Sequence, residues 1–386
     1  MKLKAFLGHV YAFVLLSLLS QVTVAQTIIP APPLLAAGSY VLMDADTGEV
    51  LVAHNAEQEL PPASLTKLMT AYIATKEIQD GKIREQDLVT VSEKAWRTGG
   101  SRMFIEVGKQ VPVIDLLKGV IIQSGNDASV ALAEYIAGSE ESFASMMNAT
   151  AKQLGLKNSH FKNATGLPSE GHYSSAKDMA NLARAIIFDE PDHYAIYSER
   201  EYTWNGIRQQ NRNLLLWRDN SVDGLKTGHT DEAGYCLVAS AERDGMRLVA
   251  AVFGARNEQA RMAETQKLLT YGFRFFENRT FYRKGAVLAQ PTVWKGEESQ
   301  VQVGLEKDLT LTVPRGQAER LTAEAVLQPE ILAPVVQGQK LGVVEIRLDD
   351  RVIHTADLVA LENVERGGFF KRILDSIRLF FFNLFN

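Results

Sequence analysis

Pro62-Ala63-Ser64-Leu65-Thr66-Lys67 sets a serine three positions before a lysine. Apolar residues then recur at spacings of three and four as far as residue 73, so the pattern predicts a helix that Ser64 begins and Gly81 ends. Residues three apart share a helix face, which brings the Lys67 amine within reach of the Ser64 hydroxyl. The stretch therefore predicts a serine nucleophile with an amine beside it to take its proton.

The serine and lysine pattern is a weak signal by itself. Two further copies occur, at Ser159/Lys162 and at Ser174/Lys177, and serine commonly caps helices, so Ser64 is alternatively an N-cap beside a surface lysine. Two later motifs favour the chemical interpretation: Ser124-Gly125-Asn126 and Lys226-Thr227-Gly228 follow in one order. Together the three motifs supply a nucleophile, a base and a cationic strand for a carboxylate.

The surroundings of each motif predict where it lies in the fold. Residues 39–54 read as a β-hairpin before the first motif, and Ser124 lies in a loop between two helical patterns. Residues 226–228 precede a strand, a turn and a second strand, which places Lys226 on a strand edge. Taken singly, the second motif is alternatively a turn that caps a helix, and the third a turn before a hairpin.

With their flanks, the motifs resemble low-molecular-mass penicillin-binding proteins that act as D-alanyl-D-alanine carboxypeptidases, which are similar to class A β-lactamases. The resemblance extends to Gln123-Ser-Gly-Asn-Asp127, Tyr173-Ser-Ser-Ala-Lys-Asp178, Gly224-Leu-Lys-Thr-Gly-His229 and Leu268-Leu-Thr-Tyr-Gly-Phe-Arg-Phe-Phe-Glu277. It implies an α/β (α+β) class A β-lactamase-like transpeptidase domain, in which helices pack on an antiparallel sheet. A small C-terminal all-β domain and a terminal amphipathic helix complete the expected architecture.

The resemblance also implies a role for each motif residue. Ser64 would form an acyl-enzyme, Lys67 would be the general base, and Ser124 would shuttle a proton. A lysine base needs a lowered pKa, which burial beside Lys226 would supply through desolvation and like-charge repulsion. Asn126 would hold both Lys67 and the substrate amide.

Further residues are expected to bind substrate. Lys226 and Thr227 would bind its carboxylate, with Gly228 allowing close backbone approach, and an Arg on the following helix is matched to Arg261, with Arg256 as the alternative. The N–H groups of Ser64 and His229 would form the oxyanion hole. A mechanism through the His229 imidazole is disfavoured, because no motif places a carboxylate to orient that ring.

Composition bounds the function class. The 386 residues are 46% hydrophobic with a net charge of −5, which permits more than one domain and argues against nucleic-acid binding. The lone Cys236 excludes an intramolecular disulfide and lies in an apolar run, which predicts a buried thiol. The sequence has no clustered metal-ligand spacing, so neither a metal nor a cofactor is predicted.

The two ends predict an exported protein held at a membrane. Residues 1–25 carry early lysines, an apolar run and Thr23-Val24-Ala25, which predict a cleaved signal peptide; an uncleaved anchor is the alternative. Residues 26–277 would form the catalytic domain and 278–365 the β-rich domain. Residues 366–386 alternate aromatic and cationic positions at helical spacing, which predicts an amphipathic helix on the periplasmic face of the inner membrane; a helix packed on the protein is the alternative.

Three function hypotheses follow. The first is a serine carboxypeptidase that trims peptidoglycan pentapeptide stems and is covalently inhibited by β-lactam antibiotics, with endopeptidase action on cross-links as a variant. The second is a β-lactamase, although the chain lacks the Glu-x-x-Leu-Asn motif of class A enzymes and offers only Glu170 in the same interval. The third is a non-catalytic wall-binding protein, against which the intact motif residues argue.

Overall fold

An antiparallel sheet forms the centre of the larger domain. In this computed structural model, which describes residues 29–385, the strands of that domain are β1 (Ser39–Asp44), β2 (Val50–His54), β3 (Leu88–Thr90), β4 (Gln110–Pro112), β5 (Glu201–Trp204), β6 (Ile207–Gln210), β7 (Val222–Thr230), β8 (Gly234–Arg243) and β9 (Met246–Ala255). The sheet has the order β2-β1-β9-β8-β7, and β3-β4 and β5-β6 are separate hairpins. The hairpin predicted over residues 39–54 is confirmed by the β1–β2 pairing.

Helices cover both faces of this sheet. They are α1 (Lys67–Gln79), α2 (Glu93–Arg97), α3 (Val113–Lys118), α4 (Asn126–Ala137), α5 (Glu140–Gln153), α6 (Ala176–Asp189), α7 (Pro191–Tyr194), α8 (Leu215–Arg218) and α9 (Glu258–Phe275). Along β1, Val41 and Met43 join the core under α6, whereas Tyr40 and Leu42 join the core under α9. Because both faces of the sheet are buried, the sequences of its strands are apolar over almost their whole length.

The C-terminal part of the chain is a smaller β-rich domain. Its strands are β10 (Phe276–Tyr282), β11 (Val303–Gly304), β12 (Leu309–Pro314), β13 (Leu321–Leu327), β14 (Lys340–Leu348) and β15 (Arg351–Ala360). β10 pairs with β12, and the others form a sheet in the order β11-β15-β14-β13 around a separate apolar core. Polar contacts join the two domains: the Asn278 amide donates to Asp44 at 2.9 Å, and the Thr47 and Thr312 hydroxyls lie 2.7 Å apart.

The chain ends in α10 (Phe369–Phe385), which rests on the smaller domain. The buried Asp375 carboxylate accepts the Lys295 N–H at 2.9 Å, and Lys371 Nζ donates to the Glu297 carbonyl at 2.6 Å. Many apolar side chains of α10 are exposed to solvent, and Phe370 is 85% exposed. The helix therefore combines the predicted amphipathic pattern with part of the alternative, in which it packs on the protein. Within residues 29–385, every helix is too short or too polar to cross a membrane.

The predicted signal peptide, residues 1–25, lies outside the described residues.

Candidate active site

Ser64 lies in a 3₁₀ turn, Ala63–Thr66, that leads directly into α1. The α-helix itself begins at Lys67, three residues later than predicted, but the turn keeps the two side chains on one face. Lys67 Nζ lies 3.0 Å from Ser64 Oγ. Neither helical start has a side-chain cap, so the alternative in which Ser64 is an N-cap is wrong.

The two other serine and lysine pairs have structural partners. The Ser159 hydroxyl donates to Asp178 Oδ2 at 2.8 Å, and Lys177 Nζ lies 2.6 Å from Glu57 Oε1 at the surface. Lys177 is therefore a surface lysine with a structural partner, which is the alternative that the sequence left open for Lys67.

Two glycines allow the Ser64 turn to touch neighbouring backbone. A Cβ on Gly166 would lie 1.8 Å from the Ala63 carbonyl oxygen, and Gly166 has φ +81°, a conformation that side chains disfavour. On the other side, a Cβ on Gly228 of β7 would lie 2.9 Å from the Pro62 carbonyl oxygen. Ala63 between them has φ +47°. The turn is thus held between β7 and the loop that contains Gly166.

The Lys67 amine is buried and has two hydrogen-bond partners among the described residues. The residue is 1% exposed, and Nζ donates to the Thr165 carbonyl at 2.6 Å in addition to its contact with Ser64. Burial, together with the smaller effect of the Arg212 charge, lowers the pKa of Lys67 to about 7 against the opposing effect of the Asp127 charge. A lysine with such a pKa is available as a neutral base near neutral pH.

Lys226 and Thr227 lie on β7, an edge strand of the sheet. Lys226 is 3% exposed, and burial lowers its pKa well below that of an ordinary lysine, with further lowering by the charges of Lys67, Arg212 and Arg261. Repulsion from Lys67 thus contributes to the lowered pKa of Lys226, whereas the lowered pKa of Lys67 comes from burial and the Arg212 charge and not, as predicted, from Lys226. Because cations crowd this region, a negatively charged ligand group would be favoured here.

The second motif follows a π-helical turn, Gly119–Gln123, that ends α3. Ser124 has φ 68° and ψ 35°, a left-handed conformation that is uncommon outside glycine. The Asn126 amide donates to the Gly99 carbonyl at 2.7 Å, and Asn126 Oδ1 has no hydrogen-bond partner among the described residues. The predicted contact of Asn126 with Lys67 is therefore wrong: the asparagine holds the loop around Gly99.

The same loop is held by Asp127. Its carboxylate accepts the N–H groups of Met103 and Phe104, each at 2.8 Å. The Asn126 N–H donates to the Ser101 carbonyl at 2.7 Å. The loop therefore forms a fixed wall beside the start of α4.

These elements enclose a cleft of ≈ 480 Å³. Most predicted site residues line it: Ser64, Ser124, Asn126, Thr227, Gly228, His229 and Arg261. Lys67 and Lys226 are buried beneath that surface. Arg256 is exposed and does not line the cleft, so the geometry favours Arg261 over its alternative.

Three residues that contribute to the site, Arg212, Thr165 and His172, belong to no motif that could have identified them from the sequence. Arg212 lines the cleft from the segment between β6 and α8, and Thr165 offers only its backbone carbonyl. His172 is buried, its Nε2 lies 2.8 Å from Thr66 Oγ1, and its Nδ1 accepts the Lys162 N–H. Burial, with the charges of His160 and Lys67, lowers the pKa of His172 to about 4, so its imidazole is neutral near pH 7.

Other predicted features lie away from the cleft. Glu170 is exposed and lines a neighbouring depression, so the geometry gives no support to its use as the water-activating glutamate of a β-lactamase. Cys236 is free and fully buried, as predicted, and burial raises the pKa of its thiol to about 11. Over residues 29–385, no group of acidic, histidine or cysteine side chains is arranged to hold a metal ion.

A buried lysine against a serine, beside a cationic edge strand, defines a serine acyl-transfer site in an α+β fold of the penicillin-recognising class. The family model for D-alanyl-D-alanine carboxypeptidases matches residues 26–257, and the model for the C-terminal domain of penicillin-binding protein 5 matches residues 276–366. The chain belongs to the D-alanyl-D-alanine carboxypeptidase family. The predicted fold class and family are confirmed.

Individual relatives agree with this assignment. The chain is 47% identical to the D-alanyl-D-alanine carboxypeptidase DacA of Escherichia coli, over 93% of this chain and 91% of the relative. It is similar to the crystal structure of penicillin-binding protein 5 from Haemophilus influenzae, with a TM-score of 0.83, 42% identity, and coverage of 87% of this chain and 100% of that one. Penicillin-binding protein D2 of Listeria monocytogenes in its ampicillin-bound form matches with a TM-score of 0.58 and 32% identity, over 63% of this chain and 100% of that one.

Proposed function

We propose that this carboxypeptidase removes the terminal D-alanine from peptidoglycan pentapeptide stems through an acyl-enzyme on Ser64. The observation that carries the proposal is the 3.0 Å contact between Ser64 Oγ and the buried Lys67 amine, whose pKa is lowered to about 7. Ser64 also lines the cleft that contains Arg212 and Arg261, where the C-terminal carboxylate of a peptide would be stabilised.

The chemistry divides into two transfers. Lys67 takes the Ser64 proton as Oγ forms a bond to the carbonyl carbon of the penultimate D-alanine. The N–H groups of Ser64 and His229 stabilise the oxyanion. The C–N bond then breaks as the protonated Lys67 returns its proton through Ser124 to the leaving amine, and D-alanine departs. Water hydrolyses the ester with Lys67 again as base.

The remaining side chains orient the substrate. Thr227, Lys226 and Arg261 bind the carboxylate. Asn126 Oδ1, which has no hydrogen-bond partner within residues 29–385, accepts the N–H of the substrate amide. β7 is an edge strand, so an extended peptide can add to it through backbone hydrogen bonds. A β-lactam carries a carboxylate beside a strained amide and would occupy the same positions, acylating Ser64 as a covalent inhibitor.

The test is D-alanine release from a peptide that ends in Lys-D-Ala-D-Ala. Residues 26–365 would be compared with the Ser64→Ala variant, and acylation by a labelled penicillin would be followed on the same samples. Release and labelling that are both lost in Ser64→Ala support the proposal. Labelling without release would refute the proposed substrate, and release that persists in Ser64→Ala would refute the nucleophile.

We also propose that α10 holds the enzyme on the outer leaflet of the inner membrane after export through residues 1–25. Exposed aromatic side chains, Phe370 and Phe380 among them, and the cations Lys371, Arg372 and Arg378 suit the headgroup region of an anionic leaflet. The contacts of Asp375 and Lys371 with the β-rich domain support an anchor of fixed orientation.

Two measurements test this second proposal. Mass spectrometry of the mature N-terminus should show cleavage after Ala25. Binding to vesicles that contain anionic phosphatidylglycerol should be lost when the chain ends at residue 365, and weakened in Phe370→Asp. Unchanged vesicle binding in the truncated chain would refute the anchor.

A further inference from the structure

One carboxylate lies in the part of the cleft where the substrate carboxylate is expected. Glu258 is in the first turn of α9 and lines the cleft with Arg212 and Arg261. Its Oε1 lies 2.9 Å from Arg261 Nη2. Among the described residues that line this cleft, Glu258 is the only acidic one. The guanidinium group proposed to bind substrate is therefore already paired with an anion.

The two partners differ in how firmly they are held. The Arg261 side chain is 5% exposed, whereas the Glu258 side chain is 52% exposed. Arg261 has other contacts: Nη2 donates to the Arg212 carbonyl at 3.4 Å, and the guanidinium lies 5.7 Å from the centre of the Tyr235 ring. Arg261 thus keeps its position without Glu258, while Glu258 can turn into solvent at little cost.

We propose that Glu258 is an internal competitor for the carboxylate of the substrate. It neutralises Arg261 in the empty cleft and is displaced when a C-terminal carboxylate binds there. This inference rests on the proposed function, because it requires that Arg261 bind that carboxylate. Glu258 would raise KM for the peptide, because the substrate carboxylate must displace it from Arg261.

The charge-removing variant Glu258→Gln keeps the size of the side chain. We expect KM for a D-Ala-D-Ala peptide to fall about two- to fivefold, the range for loss of a partly exposed ion pair, with kcat unchanged. The same peptide with a C-terminal amide, used as a competitive inhibitor, should bind both proteins equally. This comparison separates a charge effect from a structural effect of Glu258 on the start of α9, which would alter both ligands.

Glu232→Gln is the matched control. It removes the same charge from a neighbouring depression, outside the cleft that holds Arg261, and is expected to leave KM unchanged. An unchanged or higher KM in Glu258→Gln would overturn the inference, as would an equal change for the amide peptide. A fall of the same size in Glu232→Gln would also overturn it, because the effect would then be one of net charge.

Failure of the proposed function can be recognised separately. If the wild-type protein releases no D-alanine, the proposed peptide substrate is wrong. The competitor is then tested by acylation with a labelled penicillin, whose carboxylate would also meet Arg261. An acylation rate constant about two- to fivefold higher in Glu258→Gln at low drug concentration supports the inference, and an unchanged one overturns it.

Discussion

Acylation of Ser64 should slow steeply as the pH falls through the pKa of Lys67. Burial lowers that pKa from an ordinary lysine value of 10.5 to about 7. At pH 7 about half of the Lys67 amines are then neutral, compared with about one in 3,000 at the ordinary value. Because only the neutral amine can take the serine proton, burial increases the available base by roughly a thousandfold.

The same calculation gives the expected fall in the rate constant for acylation between pH 7 and pH 5. From pH 7 to pH 5 the neutral fraction falls from about one half to about one hundredth, so the rate constant for acylation should fall about 50-fold. Stopped-flow measurement with a fluorescent penicillin gives this rate constant, and far-ultraviolet circular dichroism at each pH checks that the protein stays folded.

His172→Gln tests whether a second buried titrating group near the nucleophile, the His172 imidazole, sets the pH profile. The pKa of His172 is about 4, so its removal should leave the midpoint near pH 7 in place. A rate that stays level down to pH 5 would refute the assignment of Lys67 as the base. A midpoint near pH 4 that disappears in His172→Gln would assign the profile to the histidine instead.

Three further outcomes follow from the site. Lys67→Met should abolish acylation but raise the free energy of unfolding by about 1–4 kcal/mol near pH 7, because the unfolded chain holds the lysine proton more tightly. Urea denaturation should show this gain in full below pH 7 and shrinking toward pH 10.5, where the native amine is no longer penalised. Arg261→Met should lower kcat/KM for the peptide about 10- to 100-fold through loss of a charge-assisted hydrogen bond, with Arg256→Met as an unaffected control. Gly166→Ala should destabilise the protein by about 1–3 kcal/mol, since the new Cβ meets the Ala63 carbonyl; an unchanged urea midpoint would contradict that contact.

The sequence was most informative where chemistry and local periodicity coincide. Ser64 and Lys67 are three positions apart, which places them on one helical face, and the two later motifs distinguished this pair from the two other copies of the pattern. The hairpin at residues 39–54 was equally local. The prediction that Arg261 lies in the cleft required the family resemblance, because no neighbouring residue in the sequence distinguishes Arg261 from Arg256.

Other parts of the site depend on contacts between distant segments. Arg212 has no motif and reaches the cleft because its segment packs beside Arg261, 49 positions away. Thr165 contributes a carbonyl, and every residue type has one, so its side chain carries no signal. The predicted contact of Asn126 with Lys67 was wrong for a related reason: the side-chain N–H donates to the Gly99 carbonyl, and the sequence does not reveal the position of that loop.

The backbone contacts around Ser64 also limit how the enzyme can change under selection. Neither Gly166 nor Gly228 can gain even a methyl group without moving the nucleophile, since Gly166 faces the Ala63 carbonyl oxygen of that turn and Gly228 faces the Pro62 carbonyl oxygen just before it. By contrast, Leu167, Arg212 and Glu258 present side chains to the same cleft with room toward solvent. Mutant libraries aimed at altered drug sensitivity should therefore yield folded, active members mainly at Leu167 and Glu258, since Arg212 is needed near the substrate carboxylate, while the two glycines stay fixed across every surviving clone.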